Sequence, residues 1–481
     1  MVHHHVSRRE RGLAVEGEVL HMTCRRGEVT APSEQCQERP EPRARVDHTS
    51  VATTGAAPEL SPISDSAAPV GRYRWRICAL LFFATTLNYL DRQVIGILAP
   101  ELQTSLHWSN ADYANIVAAF KVAYAIGLLS MGDILDRIGT RRGYAIGLSA
   151  WSLAGMAHAF AGSVLGFAAA RAALGFAEAA NFPAAVKTVA EWFPRKERAF
   201  ATGIFNSGAN IGAIIAPLVV PIIAVKWGWQ WAFILTGLVG FLWLGFWLAM
   251  YRKPELHPQV SARELAYIQA DGVEPTERIS WARLLPHRET LTVCLLKFVT
   301  DPVWWFFLFW LPKFLHDRYG VSLLELGPPL VVIYIVSDVG SVAGGWLSSH
   351  LIARGWSVDA ARKTTILVFG VLALPIFFAS RTTSLWTAVA LISLGTAAHQ
   401  ACSSNIYTIV SDVFPRRIVG SVIGLAGFSG AIAAALVSEF VGFILTATGS
   451  YTLIFGLFSF SYVLAWVILR IGIPTIRPIQ L

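Results

Sequence analysis

The sequence predicts an all-α membrane protein, with twelve transmembrane helices arranged as two six-helix halves. Three observations carry that expectation. Of 481 residues, 54% are hydrophobic and only 15% are charged, whereas soluble domains carry roughly 25% charged residues. From Arg76 onward, apolar runs long enough to cross about 30 Å of hydrocarbon follow one another. One long polar interruption, residues 252–289, divides those runs six and six.

Helix is the spanning element that fits, because unpaired backbone is costly in lipid and barrel strands would alternate in polarity. The predicted spans are 77–99, 113–132, 143–162, 164–187, 200–224, 230–251, 290–312, 327–350, 363–380, 384–411, 419–446 and 452–472. Mean hydropathy is +0.52. The 17 Trp and 28 Phe suit the membrane interfaces, where aromatic rings gather. Around the spans, residues 1–75 are expected to form a disordered cytoplasmic tail, because they hold few large apolar side chains. No apolar stretch in residues 1–70 fits a cleavable signal peptide. The expected units are an N-terminal bundle (76–251), a cytoplasmic loop (252–289), a C-terminal bundle (290–472) and a cytoplasmic tail (473–481).

Lys and Arg concentrate in RIGTRR (137–142), PRKER (194–198), the 252–289 segment, the loop around Arg354, Arg362 and Lys363, and PRR (415–417). The intervening loops, such as 100–113 and 446–451, carry almost none. The positive-inside rule then puts both termini in the cytoplasm of a multi-pass inner (plasma) membrane protein in contact with lipid. The net charge of +8 is spread over these short loops, so it makes no nucleic-acid face. Cys24, Cys36, Cys78, Cys294 and Cys402 lack metal-ligand spacing, and no disulfide, metal or cofactor is expected. A monomer is expected.

An internal repeat supports two parallel halves. VAEWFPRKERAFATGIFNSG (189–208) matches IVSDVFPRRIVGSVIGLAGFS (409–429) around Phe193-Pro194 and Phe414-Pro415, 221 residues apart. Proteins built this way place a site between the halves, near the bilayer midplane.

The second connection reads GDILDRIGTRR, with Gly132, Asp136, Arg137, Gly139, Arg141 and Arg142 in a Gly-x3-Asp-Arg-x-Gly-x-Arg-Arg pattern suited to a conformational latch. Arg171-x3-Gly175-x3-Ala179 puts an embedded arginine in the fourth span, where a charge is expensive and usually functional. Gly208-x3-Gly212-x3-Ala216-Pro217 gives the fifth span a small-residue stripe for close helix packing. Together these resemble the major facilitator superfamily over about residues 74–472. LNYLDRQVIGILAP (87–100) is similar to its anion:cation symporter family, and four further strings (171–194, 203–217, 296–315, 397–415) resemble hexuronate transporters. The resemblance implies a major facilitator fold and proton-coupled uptake of a sugar acid by alternating access. It also implies coupling carboxylates in the first and fourth spans, here Asp91 and Glu178.

Ionisable and polar residues inside the spans outline the site independently. Arg92 follows Asp91, while Lys121 and Tyr124 share a face of the second span. Arg171 and Glu178 lie two turns apart on the fourth span, and Lys297 and Asp301 are spaced for an intrahelical pair. Asn181, Asn206, Asn210, Trp305, His399, Gln400 and Asn405 complete the candidates. Cations would hold a carboxylate, amides and hydroxyls would read sugar hydroxyls, and an aromatic ring would stack on the sugar's apolar face. Burial disfavours the charged form of a carboxylate and a neighbouring guanidinium favours it. Glu178 is therefore read either as a proton carrier or as the fixed partner of Arg171. Asp91 is read as a carrier or as the partner of a basic neighbour.

No nucleophile–base triad, phosphate-cradling loop or metal cluster is present, so neither an enzyme nor an ATP-driven pump is expected. Other organic anions, an aldonate or an aldarate, are the alternative substrates, and a non-transporting sensor of the same fold is the alternative from another class.

Overall fold

The structure, a computed structural model, describes residues 71–270 and 281–479. The predicted tail and the pair Cys24 and Cys36 lie outside these residues, apart from the tail's last five positions. The first half runs α1 (Tyr73–Leu106), α2 (Asn110–Ile138), α3 (Thr140–Ala157), α4 (Val164–Glu178), α5 (Asn181–Trp192), α6 (Arg195–Trp227) and α7 (Trp229–Met250). Two short helices, α8 (Ala262–Ile268) and α9 (Trp281–Leu284), lie in the connection. The second half runs α10 (Arg288–Phe309), α11 (Leu311–Tyr319), α12 (Gly327–Ala353), α13 (Val358–Ala373), α14 (Leu385–Val413), α15 (Arg416–Thr448) and α16 (Thr452–Gly472). No strand occurs among the described residues.

Eight described helices are long and apolar enough to cross a membrane by composition alone: α2, α7, α10, α15 and α16, α6 from Phe200, and α12 and α13 with their 3₁₀ extensions. The other predicted spans map onto helices that are short, interrupted or polar. α1 carries Asn88, Asp91, Arg92 and Gln93, and α14 carries His399, Gln400 and Asn405. The predicted fourth span, 164–187, is broken at Ala179–Ala180 into helices of 15 and 12 residues. Glu178 sits at the break. The seventh also breaks, at Trp310, where Pro312 opens α11 without an N–H to continue the ladder. Helices that bear polar groups read least like membrane spans, because their hydropathy has been given up to line an interior.

Local chemistry explains the connections. α2 passes to α3 through Gly139 alone, whose φ of +81° is a conformation that side chains with a Cβ rarely adopt. Ser109 and Asp112 form a capping box at the start of α2. At the start of α1, Arg74 pairs with Glu197 of α6 (2.8 Å) and Glu264 of α8 (3.3 Å), which ties the connection to the first half. Residues after α16 return to the second half, with Ile479 N donating to Val413 O at 2.9 Å. Cys78, Cys294 and Cys402 are free thiols.

Packing between helices depends on small residues. A Cβ on Gly208 would lie 2.3 Å from Phe82 O, and one on Gly212 would lie 2.4 Å from Thr86 O. The Gly208/Gly212 stripe therefore brings the α1 and α6 backbones together, as expected for packing. The halves meet where α2 packs on α15, α6 on α12, and α1 on α10 and α11. Three side-chain links join them: Tyr113 Oη donates to Phe309 O (2.5 Å), Lys121 Nζ to Ala434 O (3.1 Å), and Tyr334 Oη to Gln93 Oε1 (3.2 Å). These links lie away from the basic face that carries Arg137, Arg141 and Arg142. Toward that basic face, Asn206 and Ser207 on α6 and Tyr407 and Ser411 on α14 are exposed within their helices.

Gly212→Val should drive a side chain into the α1 backbone and cost about 1–3 kcal/mol. Gly203→Ala, with nothing within 4 Å of the new Cβ, should leave stability nearly unchanged. Thermal unfolding of both variants in detergent checks this, and equal melting temperatures would contradict the packing described.

Candidate functional site

α1 and α4 carry the charges that define the interior. Asp91 and Arg92 are each 2% exposed, and Arg171 and Glu178 are fully buried. Arg92 donates Nε to Glu178 Oε2 at 2.9 Å, and its Nη2 lies 2.8 Å from the same oxygen and 3.3 Å from Asn88 Oδ1. Glu178 is therefore the partner of Arg92 and not of Arg171, the pairing that helical spacing suggested. Spacing along one helix describes only that helix, and the actual partner lies 86 residues away. Arg171 instead donates Nη2 to Arg92 O (3.2 Å) and rests 4.6 Å over the Phe120 ring.

Several of these groups are incompletely satisfied. Oε1 of Glu178 and Nε and Nη1 of Arg171 are buried without a hydrogen-bond partner, and Thr236 is the side chain that faces the buried Asp91 carboxyl. Desolvated polar atoms of this kind are costly, and their accumulation at one place marks a site that a ligand or a proton completes. An aromatic box encloses the Arg92 guanidinium, with Tyr89 and Tyr124 at 4.8 Å, Trp305 at 5.2 Å and Phe120 at 5.3 Å. Tyr124 and Trp305, both expected at the site, are thus brought to Arg92 by cation–π attraction.

Lys121 is 1% exposed and crosses to the second half, bonding Ala434 O and the Ser438 hydroxyl of α15. Glu439 on the same helix lies within electrostatic range but is exposed. Three basic side chains, Arg92, Lys121 and Arg171, are buried in the first half beside two carboxylic acids, Asp91 and Glu178.

The second half is organised differently. Lys297 Nζ lies 2.6 Å from Asp301 Oδ1 on the same face of α10, and 3.2 Å from the Tyr407 hydroxyl of α14. Trp304 stacks on His399 with ring centroids 5.3 Å apart, and His399 Nδ1 meets Tyr462 Oη at 2.8 Å.

Other candidates lie elsewhere. Asn405 donates to Gly344 O (3.1 Å) and Ala401 O (2.9 Å), fastening α12 to α14. Asn181 accepts from Tyr144 Oη (2.6 Å) inside the first half. Asn206 and Asn210 lie one turn apart on α6, and Gln400 is half-buried on α14. In the turn after α2, Asp136 pairs with Lys187 at 2.8 Å and Arg141 Nη2 donates to Leu248 O at 2.5 Å. Arg137 and Arg142 are exposed there, and a Cβ on Gly132 would meet nothing within 4 Å.

Sequence reading passed over Tyr89, Tyr407 and Asp338. Tyrosines inside spans look like ordinary apolar residues, so the first two gave no signal. Asp338, half-buried on α12 without an ion-pair or hydrogen-bond partner among the described residues, did give one. It is an intramembrane carboxylate, the feature that singled out Asp91.

A two-half helical membrane protein with charged groups buried at its centre is the architecture of a solute carrier. Residues 81–438 match the Major Facilitator Superfamily, and the chain belongs to it. It is 36% identical over 377 residues to the "Hexuronate transporter" of Escherichia coli, covering 77% of this chain and 87% of that protein. It is 30% identical over 398 residues to the "D-galactonate transporter" of Escherichia coli, covering 80% and 92% respectively. Among solved structures, a D-xylose-proton symporter superposes with a TM-score of 0.67 at 16% identity, over 82% of this chain and 97% of that one. That last likeness concerns the fold alone.

Removing one member of a buried ion pair leaves the other uncompensated, at a cost of about 3–5 kcal/mol. Arg92→Gln should therefore lower thermal stability more than the Arg92→Gln/Glu178→Gln double variant does. A double variant that is less stable than Arg92→Gln alone would contradict the pairing.

Proposed function

We propose that the protein is a proton-coupled secondary transporter that takes up a sugar acid, a hexuronate, by alternating access. One observation carries this reading: a fully buried Arg92–Glu178 pair beside two further buried basic side chains, Lys121 and Arg171. An ion pair in low dielectric is stable only while both members are charged. Protonation of Glu178 removes its charge and releases the Arg92 guanidinium. A guanidinium in an aromatic box is well suited to a carboxylate, which it binds through two parallel donors. Proton and anion then enter together, and each compensates the charge that the other adds. Loss of the proton restores the Arg92–Glu178 pair and expels the anion.

Asp91 is the second candidate carrier. It lies beside Arg92 in the sequence and is buried in α1. Lys121 and Arg171 supply the remaining positive charge. Tyr124, Trp305, Asn206, Asn210 and Gln400 are the proposed contacts for the sugar's hydroxyls and apolar face. The basic face is assigned to the cytoplasm with both termini, because the positive-inside rule orients short basic loops there. A monomer suffices, since both halves of the site belong to one chain. Similarity to a galactonate transporter keeps an aldonate as the second reading.

Purified protein in liposomes should accumulate labelled galacturonate under an inward proton gradient, and a protonophore should abolish this. Accumulation that follows sodium and ignores the protonophore would refute proton coupling. Glu178→Gln keeps the shape of the side chain but cannot cycle a proton. It should abolish gradient-driven accumulation while preserving exchange of substrate for substrate, which needs no net proton movement. Normal gradient-driven accumulation by this variant would move the coupling role to Asp91.

A further inference from the structure

We propose that the Lys297–Asp301 pair is a specificity element that admits acids with one carboxylate and turns away acids with two. The proposal rests on the sugar-acid reading above and names the part of the site that reads the far end of the substrate.

Lys297, Asp301 and Trp305 follow one another at four-residue intervals, so they line one face of α10. The Trp305 ring lies 5.2 Å from the Arg92 guanidinium, which places the upper end of this face beside the group proposed to hold the carboxylate. Asp301 is one turn below, about 6 Å along the axis. A six-carbon acid anchored at Arg92 and running along this face would meet Asp301, Lys297 and Tyr407 with its other end. Tyr407 is 42% exposed, whereas Lys297 is 4% exposed.

Charge decides what that end can be. In the proposed cycle the released Arg92 guanidinium takes one carboxylate. Here, by contrast, the ammonium is already neutralised by Asp301 at 2.6 Å. The pair closes because Gly430 of α15 leaves room for it: a Cβ at that position would lie 2.2 Å from Asp301 Oδ2. A hydroxyl or carbonyl end needs only hydrogen bonds, which the Tyr407 hydroxyl and the Lys297 ammonium provide. A second carboxylate finds no free cation and faces like charge. Rejection by unpaired charge is an effective route to specificity because it raises the free energy of the wrong complex.

The test is competition against labelled galacturonate in counterflow, using the full chain in proteoliposomes. The competitors are unlabelled galacturonate, galactonate and the dicarboxylate galactarate. The parent should bind galactarate at least about tenfold more weakly than galacturonate. Asp301→Asn frees the ammonium and should narrow that ratio by about tenfold, the effect of one charge-assisted contact. Lys297→Gln should widen it, and the double variant should return it toward the parent value. A ratio unmoved by Asp301→Asn, or a parent that accepts galactarate as well as galacturonate, overturns the proposal. Should Asp301→Asn fail to insert, Lys297→Gln decides alone, and an unchanged ratio has the same meaning. A parent that exchanges no sugar acid at all overturns the sugar-acid reading, and this proposal with it.

Discussion

The rest of the site depends on the cost of placing an ion pair, Arg92 and Glu178, where water cannot reach either partner. Each charge would be intolerable alone, so the fold has to hold α1 against α4 to within a hydrogen bond. That constraint explains several neighbouring features. Asn88 occupies a further guanidinium donor, four aromatic rings surround the cation, and Arg171 is directed onto the Arg92 carbonyl rather than toward Glu178. The break after Glu178 belongs to the same arrangement, because it ends α4 at the residue whose position matters most.

The two halves divide the work unequally. The matched Phe-Pro-Arg segments stand at equivalent places, before α6 and before α15, and glycines bring α1 close to α6 and α12 close to α14. The chemistry of the two halves differs. The first half keeps unsatisfied polar atoms and three buried basic side chains, while the second keeps a closed Lys297–Asp301 pair and a stacked Trp304–His399. Lys121 spans the seam: it belongs to the first half and bonds the second. Any motion that separates α2 from α15 must break this contact and expose the ammonium. The group that seals the site in this state would be available to an anion in the other.

Much of this was legible in the sequence, for an identifiable reason. Lipid forbids unpaired backbone and penalises charge, so helices announce themselves by length and functional charges by their scarcity. Asp91, Arg92, Lys121, Arg171, Glu178, Lys297 and Asp301 all stand out on that basis, and the structure buries all of them but Asp301, which is half-buried. Local spacing also gave the Lys297–Asp301 pair correctly, since four residues make one helical turn. Asn405 and Asn181 stood out equally well and belong to packing, because polarity in a span does not say which way the side chain faces.

The sequence by itself determined the class of protein, its helical character, the basic face and the intramembrane charges Asp91, Arg92, Lys121, Arg171, Glu178, Lys297 and Asp301. These follow from composition and from one-dimensional spacing. Tertiary structure decided the partners. Glu178 bonds Arg92 across 86 residues, Lys121 reaches α15, and Tyr407 meets Lys297 across 110 residues. Such pairings depend on how helices are stacked and rotated against one another. That arrangement is set by many small packing contacts, such as Gly208 and Gly212 on α1, none of which has a signature tying it to the charges it brings together.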